Sequence, residues 1–128
     1  MFLSTKENVY ITATDKPMVF IPAGAVNYKA VVLSIPSRKS WEMSNDEAKA
    51  LGTVLLDCGN RVLAKGYIPL EHFSEVQKGV GVLISFHEIV LTLSVGMNKF
   101  HYHFDGKTAR TIGKELIEKS QQKRSVSF

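Results

Sequence analysis

The sequence predicts an α+β fold: an antiparallel sheet of six to seven strands with two main helices packed on one face. Three observations predict it. Two segments carry apolar residues at helical spacing, Ala48, Leu51, Gly52, Leu55, Leu56 and Ala109, Ile112, Gly113, Leu116, Ile117. The remaining apolar residues alternate in short runs bounded by turn residues, as half-buried strands do. The two helical segments and the strand pairs before them also align with one another, a twofold internal repeat of strands, hairpin and helix.

The elements follow in order. Residues 9–13 and 18–21 read as strands around the turn Asp15, Lys16, Pro17. Residues 30–35 and 39–43 form a hairpin with Ile35, Leu33 and Val31 opposite Lys39, Trp41 and Met43. Ser44 and Glu47 make a Ser-x-x-Glu capping box, and the helix they start runs on through Val62 and Leu63. Residues 67–70 read as a short edge strand, because Pro69 has no N–H to give a central ladder. Residues 79–85 read as a strand whose Gly79 and Gly81 serve a turn or bulge, and Phe86, His87 and Glu88 make a tight connection. Residues 90–95 and 100–104 form the second hairpin, with Val95, Leu93 and Leu91 opposite Phe100, Tyr102 and Phe104. Asp105 caps the second helix.

The two copies lie 60 residues apart through the first hairpin strand and 61 apart from the second strand onward. The halves are roughly residues 1–65 and 66–121 of a single domain, 1–121, and residues 122–128 are a loose basic tail. Glycine inside a helix costs about 1 kcal/mol relative to alanine. Both copies carry it on the buried stripe, which predicts close contacts at Gly52 and Gly113.

At 128 residues, with 45% hydrophobic and 22% charged, the composition excludes a disordered chain. No apolar run reaches the ~20 residues of a membrane helix. The first residues lack a signal-peptide pattern, and the one cysteine, Cys58, makes no internal disulfide. The expected location is therefore the cytoplasm. The net charge is +4, and the whole excess lies from Lys99 onward, seven basic residues against three acidic.

No phosphate loop, dinucleotide fingerprint or nucleophile elbow is present, so the expectation is a non-enzyme without a cofactor. His101 and His103 alternate on a strand and share a face, which suits a metal site, and His72, His87 and Glu88 could complete one. Their expected cross-strand neighbours, Ser94 and Thr92, are poor ligands, so a metal-dependent enzyme here is the third reading. Cys58 reads as a small buried hydrophobe.

The leading reading is a small binding protein that acts by protein–protein interaction, an accessory or inhibitor protein of phage or mobile-element type. Its surface would be the outer sheet face with Ser40, Glu42, Thr92, His101 and His103, joined by Tyr28 from the loop of residues 22–28. Self-association through that face is a further expectation. The alternative is a nucleic-acid-binding module using Lys107, Arg110 and Lys114 on one side of the second helix, with Lys123 and Arg124 in the tail. Glu115 and Glu118, and an outer face without aromatics to stack bases, stand against it.

Overall fold

The computed structural model describes residues 6–11, 17–21, 30–35, 40–71 and 76–121. It is α+β, with two helices and sheets of five and three strands, mostly antiparallel. The elements are β1 (Lys6–Tyr10), β2 (Met18–Phe20), β3 (Ala30–Ser34), β4 (Ser40–Ser44), α1 (Asn45–Gly59), β5 (Lys65–Leu70), β6 (Lys78–Ser85), β7 (Glu88–Val95), β8 (Asn98–Phe104) and α2 (Gly106–Gln121). One sheet runs β1-β8-β7-β6-β5 and the other β2-β3-β4.

This corrects the expectation of one sheet of six to seven strands. Among the described residues there are eight strands, divided between two sheets. β1 lies parallel to β8, from Lys6 opposite Lys99 to Tyr10 opposite His103. Alternation reveals a strand but not its partner, and nothing local marks a pairing across so much of the chain. β5 is the edge strand expected from Pro69, paired antiparallel to β6.

The first hairpin has the expected register, Val31 opposite Met43 and Leu33 opposite Trp41. The second is shifted by two residues: Leu93 faces Phe100, Leu91 faces Tyr102 and Ile89 faces Phe104. The cause is the turn. Val95 pairs with Asn98 across Gly96 and Met97 alone, and Gly96 has φ +60°. That is a two-residue hairpin turn with positive φ at its first central position, where glycine is favoured. A shift of two leaves every side chain on its expected face, so the burial pattern holds while the neighbours change.

The ends of α1 have separate explanations. Its start is a complete capping box: Ser44 Oγ accepts from Glu47 N at 3.1 Å, and Glu47 Oε1 accepts from Ser44 N at 2.8 Å. Its end falls at Gly59 rather than at Leu63. Arg61 takes φ +59°, and the N–H groups of Arg61 and Val62 donate to Cys58 O and Asp57 O at 3.0 and 2.8 Å. This is the Schellman closure, with arginine in the place usually held by glycine.

The core is one cluster drawn from both sheets and both helices, including Val31, Leu33, Met43, Leu51, Leu55, Val80, Leu91, Tyr102, Ile112 and Leu116. Trp41 of the small sheet stacks on Tyr102 of the large one, ring centroids 5.9 Å apart. Each helix touches strands of both sheets. The helices cross where the glycines stand. A Cβ on Gly52 would lie 2.6 Å from Gly113 O, and one on Gly113 would lie 2.7 Å from Gly52 O. The expected close contacts are helix on helix, and they explain why both positions forgo alanine.

Candidate recognition face

Strand alternation sends one face of the five-stranded sheet to the core and leaves the other outside. Val80, Val82, Leu91, Leu93, Phe100 and Tyr102 are buried on the inner face. The pairing register then sets out the outer face in rows. Lys65, Leu83, Val90, His103 and Tyr10 form one row, and Tyr67, Gly81, Thr92, His101 and Asn8 the next. No described helix covers this face. Tyr10, Tyr67 and Leu83 are 65%, 58% and 48% exposed.

Its polar groups bind one another. Thr92 Oγ1 and His101 Nδ1 are 2.8 Å apart, directly across the β7–β8 ladder. His103 Nδ1 lies 2.9 Å from Glu88 Oε2, and its Nε2 lies 2.9 Å from Asn8 Oδ1. Tyr10 stacks on the His103 ring, centroids 4.4 Å apart and 20° from parallel. The carboxylate, the amide and the phenol ring thus hold the imidazole from three sides. The expected neighbours of the histidines, Ser94 and Thr92, are replaced by Thr92 for His101 and Val90 for His103. Among the described residues no group of three His, Cys, Asp or Glu side chains could hold a metal ion.

The other edge of the face is built on glycine. A Cβ at Gly79 would overlap the Tyr67 phenol, and one at Gly81 would touch Tyr67 Cδ2 at 3.9 Å. Gly79 and Gly81 are therefore neither turn nor bulge. Both are paired within the β5–β6 ladder, and they form the floor on which the Tyr67 ring lies. A Gly-x-Gly alternation inside a strand is the sequence signal for this, since it removes two side chains from one face.

The residues expected to make one surface are divided. Thr92, His101 and His103 lie on the large sheet, whereas Ser40 and Glu42 lie exposed on the small one. Tyr28 lies outside the described residues, as do Lys123 and Arg124. On α2, Lys107 and Lys114 are exposed, but Arg110 is not part of an open basic stripe. Its Nη1 donates to Gly59 O at 2.8 Å, closing the C-terminal end of α1. Cys58 is fully buried, and burial, followed by the Asp57 carboxylate, raises its thiol pKa. That is the opposite of an activated thiolate.

Beside Tyr10 a cleft of about 490 Å³ runs between the end of β8 and the first turns of α2, lined among others by Glu88, His103, Asp105, Lys107 and Ile112. Asp105 Oδ1 there accepts from Thr108 N at 2.7 Å, the expected N-cap. Sequence reasoning missed Tyr10, Tyr67 and Leu83, because strand partners decide which alternating residues share a face. No helix among the described residues is long and apolar enough to cross a membrane. Compared with known proteins, the chain matches no family model, no curated sequence and no solved structure.

Proposed function

We propose that the chain is a non-catalytic binding protein whose recognition surface is the outer face of the five-stranded sheet. One observation carries the reading: this face is left uncovered by both helices yet holds half-exposed Tyr10, Tyr67 and Leu83. Tyrosine supplies a large contact area with little rotamer entropy to lose, which suits a surface that meets a partner. His103 supports a binding role over a catalytic one, because both of its ring nitrogens are already engaged, by Glu88 and by Asn8.

The same proposal includes an internal duplication. Two units, β2-β3-β4-α1 and β6-β7-β8-α2, share one element order. Gly52 meets Gly113 and Ile117, while Gly113 meets Gly52 and Leu56, so aligned residues touch reciprocally. Trp41 and Tyr102, also aligned, stack on each other. Reciprocal contact between equivalent residues is the mark of a twofold axis. Pairing the hairpins by their ladders makes Leu33 equivalent to Leu91 rather than Leu93.

The test compares the two sheets. Tagged protein is used to capture partners from an extract of the cells that produce it. Thr92→Glu puts a negative charge in the middle of the large outer face, and Glu42→Arg reverses a charge on the small one. Loss of the captured partner with Thr92→Glu alone is the expected result, with circular dichroism showing that the variant is folded. Loss with Glu42→Arg alone would move the recognition surface to the three-stranded sheet and refute the reading.

A further inference from the structure

We infer that the partner of this face is a single-stranded nucleic acid, an inference that rests on the binding-face reading above. It differs from the helix-based site expected from the basic residues of α2, and it removes the objection that the outer face lacks aromatics. Tyr10 and Tyr67 supply them, one from each edge strand of the sheet.

The two rings are presented in the way base stacking requires. Tyr67 lies down on the glycine floor of β6, so one ring face meets backbone and the ring is still 58% exposed. Tyr10 lies with one ring face against His103 and is 65% exposed. Four strand spacings separate their strands, about 19 Å at roughly 4.8 Å each. Gly81, Thr92 and His101 continue the row of Tyr67, while Leu83, Val90 and His103 lead to Tyr10 in the adjacent row, and the Thr92–His101 bond ties two of the polar side chains to the sheet. The result is a flat strip with an aromatic platform at each end. Bases of any sequence stack on such platforms, because every base has a π face.

Charge favours the same partner. Lys65 and Lys99 are exposed on outer-facing positions of β5 and β8. Glu88, the carboxylate on this face among the described strand residues, is bound to His103. The strip offers two flat rings and two cations, which match the base faces and the phosphates of a single strand.

The test uses fluorescein-labelled single-stranded twelve-mers, oligothymidylate and oligouridylate, titrated with the intact protein and read by fluorescence anisotropy. Two phosphate contacts give a salt slope of about −1.4, so raising salt from about 50 to 200 mM should weaken binding about sevenfold. Lys65→Gln and Lys99→Gln should each lower the slope by about 0.7. Tyr10→Ala and Tyr67→Ala should each weaken binding about tenfold. The lysine variants are surface changes and keep the test valid if Tyr67→Ala leaves its glycine floor bare and unfolds. Binding that is lost only in Lys107→Gln or Lys114→Gln would overturn the inference in favour of α2. No oligonucleotide binding, together with a protein partner lost in Thr92→Glu, would overturn it while the binding face stands. No oligonucleotide binding and no partner sensitive to Thr92→Glu would overturn both.

Discussion

Replacing Gly113 by alanine should destabilise the protein, although helix propensity alone says the reverse. Alanine is favoured over glycine in a helix by about 1 kcal/mol. The added methyl, however, would stand 2.7 Å from Gly52 O, 2.9 Å from Leu56 N and 3.3 Å from Leu56 Cα. All three are backbone atoms of α1, so no rotamer change relieves them. Restoring an ordinary contact of about 3.4 Å from 2.7 Å means separating the helices locally by about 0.7 Å. A gap of that size forfeits a quarter to a half of the dispersion energy of each contact across it. Leu56, Leu116 and Ile117 meet at that crossing and would share the loss. Overpacking of this kind costs about 1–3 kcal/mol. Set against the propensity gain, the net expectation is a loss of about 0–2 kcal/mol, centred near 1, or a fall in Tm of roughly 4 °C. Urea unfolding followed by far-ultraviolet circular dichroism measures it, with an unchanged m-value showing a pure stability effect. Thr53→Ala is the control, because Thr53 lies on the exposed face of α1 and its Oγ1 donates back to Lys49 O at 2.8 Å; it should gain a few tenths of a kcal/mol. Gly52→Ala forces the same separation, so the double variant should lose less than the two singles added together. A Gly113→Ala protein more stable by the propensity increment would refute a tight crossing.

The other predictions concern helix caps, turns and the buried thiol. Asp105 has its carboxyl pKa held below the ordinary 3.8 by hydrogen bonds from Thr108, its side chain first and then its backbone N–H. Its stabilisation is therefore complete above that ordinary value and disappears as pH falls through the lowered folded-state value. Asp105→Ala should cost about 1 kcal/mol at neutral pH, and a urea series should show the difference closing in strong acid. Arg61 and Phe86 hold φ of +59° and +56°, and Phe86 is 92% exposed, so it loses little packing on truncation. Arg61→Gly and Phe86→Gly should each add about 0.5–1 kcal/mol, the left-handed penalty less the greater chain entropy of glycine, and an unchanged Tm would count against those backbone angles. Cys58 should resist a thiol reagent in the native state and react on unfolding; native reaction at the rate of a free thiol would show that the buried side of α1 opens.

What was legible in the sequence was what local chemistry controls. Ser44 and Glu47 announced a helix start because the capping box needs only four residues. Gly52 and Gly113 announced close contacts, of helix on helix or helix on sheet, because a costly residue recurred on a buried stripe. Face assignment in the second hairpin also succeeded, since a period of two follows burial. Its offset did not, because Gly96 closes a two-residue turn where a four-residue one also fits the apolar pattern. The end of α1 was misplaced because Arg61 does by backbone conformation what a glycine would have signalled. The site was harder. Tyr10 reaches the outer face only through a parallel pairing with β8, and Tyr67 reaches it through a strand partner that supplies the two glycines beneath it. Both facts belong to long-range pairing, which a window of sequence does not carry.

The parallel β1–β8 pairing also has a consequence in time. A ribosome adds Lys99 93 residues after its partner Lys6. At roughly 5–20 residues per second that interval is about 5–20 s. The β6-β7-β8 meander needs only neighbours and can form as soon as it emerges, while β1 has nothing to pair with until β8 exists. Tyr10 and Asn8 can therefore meet His103 only once β8 has been made. A chain ending before β8 lacks that edge altogether, so the proposed recognition face depends on residues from both ends of the five-stranded sheet's sequence.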